Sequence, residues 1–214
     1  MENKIRLNLG CGIHIIPGWI NVDNYFDLND LRTGKVHRKG IFKTASIPKV
    51  PRGAKFVRAD IRHLPFSDEY SDEIMLDNVL EHICIHEVVP TLKEIRRIMK
   101  TGSKARIIVP SFDGLVKEYL NIRLNMFDYK KYMEMLFHFM GIQNHEGEYH
   151  RCLFTAEFFT IVLNQAGFTK GGVFLSAQGQ LPTPDLMPLV PRYIKNGKVL
   201  GTPIIDYLVA NAIK

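Results

Sequence analysis

Apolar residues in this chain follow two periods, and the change from one to the other marks out the elements. Ile5, Leu7 and Leu9 alternate with Arg6 and Asn8 and stop at Gly10-Cys11-Gly12, which predicts a short strand running into a glycine turn. Trp19-Ile20-Asn21-Val22 ends on Asp23 as a second strand, and Lys55-Phe56-Val57-Arg58 is a third. Glu73-Ile74-Met75-Leu76 reads as a buried fourth strand, mostly apolar as a central parallel strand should be. From His86 to Lys100 the period becomes helical. Val88, Val89, Leu92, Ile95, Ile98 and Met99 share one face, with Lys93, Glu94, Arg96, Arg97 and Lys100 on the other, and Thr101-Gly102 stops the helix. Lys104 to Pro110 is a fifth strand.

Beyond Pro110 the pattern stays helical. Leu115, Tyr119, Leu120, Leu124 and Phe127 form one stripe, and Tyr132, Met135, Leu136 and Phe139 another, so two helices are expected with a break near 125–129. Thr155 caps a further helix to Ala166, closed by Gly167. Gly171 to Ala177 is a sixth strand. Pro182, Pro184, Pro188 and Pro191 forbid regular structure, a last helix is expected over Pro203–Ile213, and a seventh strand is not plain. The reading is a single α/β domain over 1–214 in which strands and helices alternate. A basic loop (24–54), a helical cap or insertion after the fifth strand (113–151) and an irregular C-terminal extension (178–214) complete it.

The glycine turn and Asp23 bring in chemistry. Glycines at a strand's carboxyl end let backbone N–H groups approach a ligand, and a carboxylate ending the next strand can accept hydrogen bonds from both ribose hydroxyls. Together they describe half of a nucleoside site. The dinucleotide pattern Gly-x-Gly-x-x-Gly fails at Ile15, and the link from Gly12 to Trp19 leaves room for about one helical turn. A nucleoside without a pyrophosphate fits best.

Leu7-Asn8-Leu9-Gly10-Cys11-Gly12 followed by Pro17-Gly18-Trp19-Ile20-Asn21-Val22-Asp23 resembles the first two motifs of class I S-adenosylmethionine-dependent methyltransferases. The nearest likeness is to a branch with a shortened first helix, often associated with polysaccharide synthesis. Ala59 to Phe66 is similar to the adenine-binding segment, and Asp72 to His82 to the fourth strand with its Leu-Glu-His end. The resemblance covers residues 5–110 well and 150–175 loosely, and it implies a Rossmann-like doubly wound, mainly parallel sheet of about seven strands with helices on both faces. It implies S-adenosyl-L-methionine as cofactor, with Gly10, Cys11 and Gly12 at its methionine part, Asp23 at the ribose, Asp60 and Ile61 at the adenine, and Asp77, Asn78 and His82 lining the donor pocket.

Methyl transfer from a sulfonium mainly needs alignment of donor and acceptor. A hydroxyl acceptor also needs a base, and histidine fits near neutral pH. His145 and His150, beyond the insertion, are the candidates for that role, with His82 and His86 closer to the fourth strand. The cluster His145, Glu146, Glu148 and His150 could be weighed as a metal site, but Gly147 argues for a loop that does not converge, and no metal is expected. Asn78 is followed by Val79-Leu80 rather than two prolines, which favours an oxygen acceptor over an amide or base nitrogen.

Charge adds a local feature. Residues 24–58 hold nine basic side chains against Asp27 and Asp30, a local +7 where the whole chain carries +6. Such a loop could meet an anionic substrate or simply keep the protein solvated. Only Phe42 and Phe56 lie among these charges, so nucleic acid is not favoured. Cys11, Cys84 and Cys152 fit a reducing cytoplasm. No apolar run reaches eighteen residues, so no membrane span is expected, and no signal-peptide core follows Met1. A saccharide or small-molecule acceptor is expected, and the methionine-rich insertion would suit a homodimer. A non-catalytic cofactor-binding module and a nicotinamide-dependent oxidoreductase are the alternatives.

Overall fold

The computed structural model describes residues 4–25, 29, 32, 50–124, 128–141, 143, 146–168, 173–176, 194–195, 198–199 and 207–214. Most of the basic loop, His145 and most of 177–206 lie outside these residues.

The strands are β1 (Arg6–Leu9), β2 (Ile20–Asp23), β3 (Lys55–Arg58), β4 (Ser71–Asp77), β5 (Met99–Pro110), β6 (Val173–Ser176), β7 (Ile194–Lys195), β8 (Lys198–Val199) and β9 (Tyr207–Ile213). The helices are α1 (Ile85–Ile98), α2 (Phe112–Leu124), α3 (Tyr129–Met140) and α4 (Ala156–Gln165). Seven strands form one sheet in the order β3-β2-β1-β4-β5-β9-β6, and β7 and β8 pair as a separate hairpin. β3, β2, β1, β4 and β5 run parallel, while β9 runs antiparallel to both β5 and β6. The order reverses at β1, with β2 on one side and β4 on the other. Ligands of open α/β sheets bind beyond the carboxyl ends of the strands at such a point.

The main core lies on one face. Leu7, Leu9, Ile74, Leu76 and Ile107 meet Val88, Leu92, Ile95 and Ile98 of α1 and Phe159, Val162 and Leu163 of α4. Thr155 caps α4 as its sequence position predicts, its hydroxyl accepting from the Phe158 N–H at 3.2 Å. The break between α2 and α3 also falls where expected, and Asp128 caps α3.

On the other face Met75 packs against Ile16 and Trp19, which belong to the β1–β2 link. The one-turn helix expected in that link does not form. Two buried amides hold it as turns instead. Asn21 Oδ1 accepts from Ile16 N at 2.8 Å and from Asn8 Nδ2 at 2.9 Å. Asn21 Nδ2 donates to the carbonyls of Ile16, Trp19 and Lys55, and Asn8 Nδ2 to that of His14. These side chains satisfy backbone groups that a helix would have satisfied internally.

A second correction concerns the C-terminal extension. Residues 207–213 form strand β9 rather than a helix, in register from Lys104↔Ile213 to Pro110↔Tyr207. Leu208, Val209, Ala210 and Ala212 are all buried. A strand paired on both edges and packed on both faces loses the alternation that marks a half-exposed one, so its apolar run mimics a helix. Lys198-Val199 pairs with Ile194-Lys195, outside the main sheet.

Candidate functional site

The β1 turn is built for close approach. Gly10 and Gly12 have φ of +64° and +51°, a region that glycine enters at little cost. The two differ in surroundings. A Cβ on Gly10 would lie 2.6 and 2.7 Å from the Val79 methyls, so this glycine lets the first turn pack against the segment after β4. A Cβ on Gly12 would meet nothing within 4 Å, so its backbone faces open space. Between them Cys11 is buried, its N–H bonded to the Val22 carbonyl at 2.9 Å. Burial, with the charge of Asp23 beside it, pushes the Cys11 thiol far up, so it stays protonated.

Asp23 fixes this turn to β2. Its Oδ2 accepts from Gly12 N and its Oδ1 from Tyr25 N, both at 2.8 Å. Asp23 is itself buried, and a carboxylate oxygen can accept more than one hydrogen bond.

Asp60 follows β3 and is only partly exposed. Arg62 Nε reaches both of its oxygens, at 3.0 and 3.2 Å, and Arg62 NH2 closes the pair at 2.6 Å. The Arg62 guanidinium holds the Asp60 carboxyl below the usual carboxylate range. Arg62 also bonds Glu87 of α1 at 3.0 Å, while Glu94 accepts from Leu64 N at 2.8 Å. The segment carrying Asp60 and the buried Ile61 is thus strapped to α1. Arg62 has no place in the sequence reading, although its spacing of two from Asp60 could have found it.

At the end of β4, Asn78 has a φ of +55°, and its amide donates to Asp77 Oδ1 at 2.9 Å. Leu80–His82 then forms one 3₁₀ turn. The stretch after the insertion is stitched onto it: the Glu81 carbonyl accepts from Arg151 N at 2.7 Å and Cys152 N at 3.1 Å. This brings His150 to His82, ring centroids 4.8 Å apart and edge to face. Each Nδ1 faces a backbone carbonyl, His82 that of Tyr149 at 3.1 Å and His150 that of His138 at 2.8 Å. A carbonyl only accepts, so both Nδ1 atoms carry a proton, and in the neutral ring each Nε2 keeps a lone pair. Burial lowers the His150 pKa, and its bond to His138 works against that. The Glu81 carboxylate, 1% exposed, joins them: one ligand atom from each of Glu81, His82 and His150 lies within 4.8 Å of the others.

Of the other candidates, His86 is exposed on α1, and His145 lies outside the described residues. Glu146 pairs with Arg151 at 3.1 Å. The carboxylate that meets His150 is therefore Glu81, which lies within the quoted Leu-Glu-His end but carries no role in the sequence reading. The turn over 146–148 reaches back to the loop after β2, for Gly147 lies against the ring of Tyr25, two residues after Asp23.

Residues 7–107 match the family model for a methyltransferase domain. An uncharacterized protein of Methanocaldococcus jannaschii is 43% identical over 60 residues, 28% of this chain and 25% of that protein's length. A SAM-dependent methyltransferase of Archaeoglobus fulgidus superposes with a TM-score of 0.55 at 15% identity, covering 98% of this chain and 86% of that one. The 1,6-didemethyltoxoflavin-N1-methyltransferase of Burkholderia thailandensis, solved with its substrate and S-adenosylhomocysteine, gives 0.53 at 16% identity over 99% and 71%. No helix among the described residues is long and apolar enough to cross a membrane. Residues 7–107 thus match a methyltransferase domain over just under half of the chain, and the chain shares the fold of these solved methyltransferases.

Proposed function

We propose that this chain transfers the methyl group of S-adenosylmethionine to an oxygen of a sugar or another small hydroxyl compound. The observation that carries the donor half is the open space at Gly12 beside the Asp23 carboxylate, at the point where the strand order reverses. Gly10, Cys11 and Gly12 take the methionine part of the cofactor, and Asp23 takes the ribose hydroxyls. Asp60 and Ile61 take the adenine, with Asp60 sharing its carboxylate between the ring's amino group and Arg62. Asp77, Asn78 and His82 line the donor pocket.

Residues 1–214 act as one domain, with 113–151 as a cap on the acceptor side. The oxygen acceptor is favoured by Val79-Leu80 after Asn78, and the saccharide class by the likeness of residues 7–23 to the polysaccharide-associated branch. The acceptor's proton goes to His150, whose Nε2 keeps its lone pair, or to His145 on the same loop. The carbon–oxygen bond forms as the carbon–sulfur bond breaks, and S-adenosylhomocysteine leaves.

Calorimetric titration tests the donor half. The protein should bind S-adenosylmethionine and S-adenosylhomocysteine and not NAD, and a folded Asp23→Ala variant should lose at least tenfold in affinity. Unchanged affinity in that variant would remove Asp23 from the ribose role. Transfer of a labelled methyl group across a panel of sugars and other hydroxyl compounds then identifies the acceptor.

A further inference from the structure

We infer that Glu81, His82 and His150 form a binding site for one divalent transition-metal ion on the acceptor side of the donor pocket. The inference rests on three observations. Their ligand atoms lie within 4.8 Å of one another. Both imidazoles are held through Nδ1 by backbone carbonyls, the arrangement that fixes a metal-ligating histidine with its Nε2 lone pair presented. Glu81 is almost fully buried beside them, so its carboxylate is withdrawn from bulk water on the side of the two rings.

Two imidazoles and one carboxylate suit zinc, cobalt, manganese or iron rather than magnesium, which prefers oxygen ligands and water. Three protein ligands leave coordination positions open, and the two histidines are only half-buried, so a ligand from solvent can reach the ion. The backbone sets the place. Glu81 follows Val79 by two residues, and Val79 is the side chain on which Gly10 packs. The ion would therefore stand beside the cofactor turn, where an acceptor hydroxyl must lie.

This placement deepens the methyltransferase reading and rests on it for its purpose. The ion would hold the acceptor hydroxyl and lower its pKa. The hydroxyl proton then leaves to water, the oxygen takes the methyl group, and S-adenosylhomocysteine departs with the electron pair of the broken carbon–sulfur bond. His150 in that case is a ligand and not the base.

Metal binding can be read without turnover. The chelator-treated full chain is dialysed against Co²⁺ or Zn²⁺, bound metal is quantified, and the Co²⁺ visible spectrum is recorded. About one equivalent per chain is expected, with Mg²⁺ failing to compete. His82→Ala and His150→Ala should each weaken binding by roughly 100-fold, and the exposed His86→Ala should leave it unchanged. Glu81→Gln tests the carboxylate, and the half-exposed His82 keeps the test sound if that buried variant misfolds. No binding by folded protein, or binding that survives both histidine variants, overturns the site. S-adenosylmethionine titration of the metal-free protein is scored separately: metal binding without cofactor binding would keep the site and sink the methyltransferase reading, and the converse would do the reverse.

Discussion

Gly147 lies so close to Tyr25 that a Cβ on the glycine would overlap Cε2, Cδ2 and Cζ of the ring. The contact joins the loop after β2, next to Asp23, to the loop after the insertion. Tyr25 is about half exposed, so its ring can swing aside. Gly147→Ala should therefore change stability by less than about 1 kcal/mol. It should weaken S-adenosylmethionine binding several-fold by parting the two loops. The Tyr25→Ala/Gly147→Ala pair should show clear coupling in a double-mutant cycle. Additive effects on affinity would mean that the contact has no bearing on the site.

The two glycines of the first turn should fail in different ways. Gly10→Ala forces a methyl into Val79, which is buried, and strains a positive φ. A loss of about 2–4 kcal/mol in urea unfolding is expected from overpacking and strain together. Gly12→Ala meets no atom, so only the φ strain of about 1–2 kcal/mol applies. Its main effect should be on cofactor affinity, because the methyl fills the space assigned to the ligand. Equal destabilisation with equal affinities would contradict the distinction.

Asn21→Ala should be among the costlier single changes outside the apolar core. It removes the partner of Ile16 N and Asn8 Nδ2 and takes one donor from each of three carbonyls, of which that of Ile16 keeps the Trp19 N–H. About 3 kcal/mol is expected, since unsatisfied buried groups cost roughly 1–3 kcal/mol each and water can recover some. A urea midpoint within error of the parent chain would count against the two amides as the link's support.

Acid should loosen the strap that holds residues 60–66 to α1. Glu94 accepts from Leu64 N and from Arg97, and Arg97 in turn donates to the Leu64 and Phe66 carbonyls. The Arg97 guanidinium, helped by the Leu64 N–H, holds the Glu94 carboxyl below its ordinary 4.5 against the opposing effect of burial. A depressed folded pKa gives stability that is fully present above about pH 4.5 and lost as pH falls through the folded value. Urea midpoints for the parent and Glu94→Gln should differ at pH 7 and converge toward pH 3. A gap that stays constant with pH would show that the carboxylate charge is not what stabilises the strap.

Most of the parallel half of the sheet was legible from alternation and glycine punctuation, and the place of Asp23 at the end of β2 was legible from the apolar run before it. Three features were hidden for physical reasons. Asn8 and Asn21 look like ordinary polar positions of alternating strands, and only their pairing across β1 and β2 shows that they replace a helix. Strand β9 has no period-two signal because it is covered on all sides. Glu81 and His150 lie 69 positions apart in sequence and meet only through the bonds that Arg151 and Cys152 make to the Glu81 carbonyl. Sequence spacing directed attention to Glu146 and Glu148, whereas topology supplied a different carboxylate.

The position of β9 sets an order of assembly. It pairs β5 on one edge and β6 on the other, so β6 reaches the sheet only through it. Its partners on β5 lie about a hundred residues earlier in the chain. On the ribosome, β1 to β5, α1 and α4 can associate before residues 207–213 emerge, but β6 must wait, and β5 keeps an exposed edge until then. Non-local pairing of this kind is slow, and an unpaired edge invites association with other chains. Folding should therefore show a late phase that a β9-disrupting Val209→Pro change abolishes, with aggregation in its place.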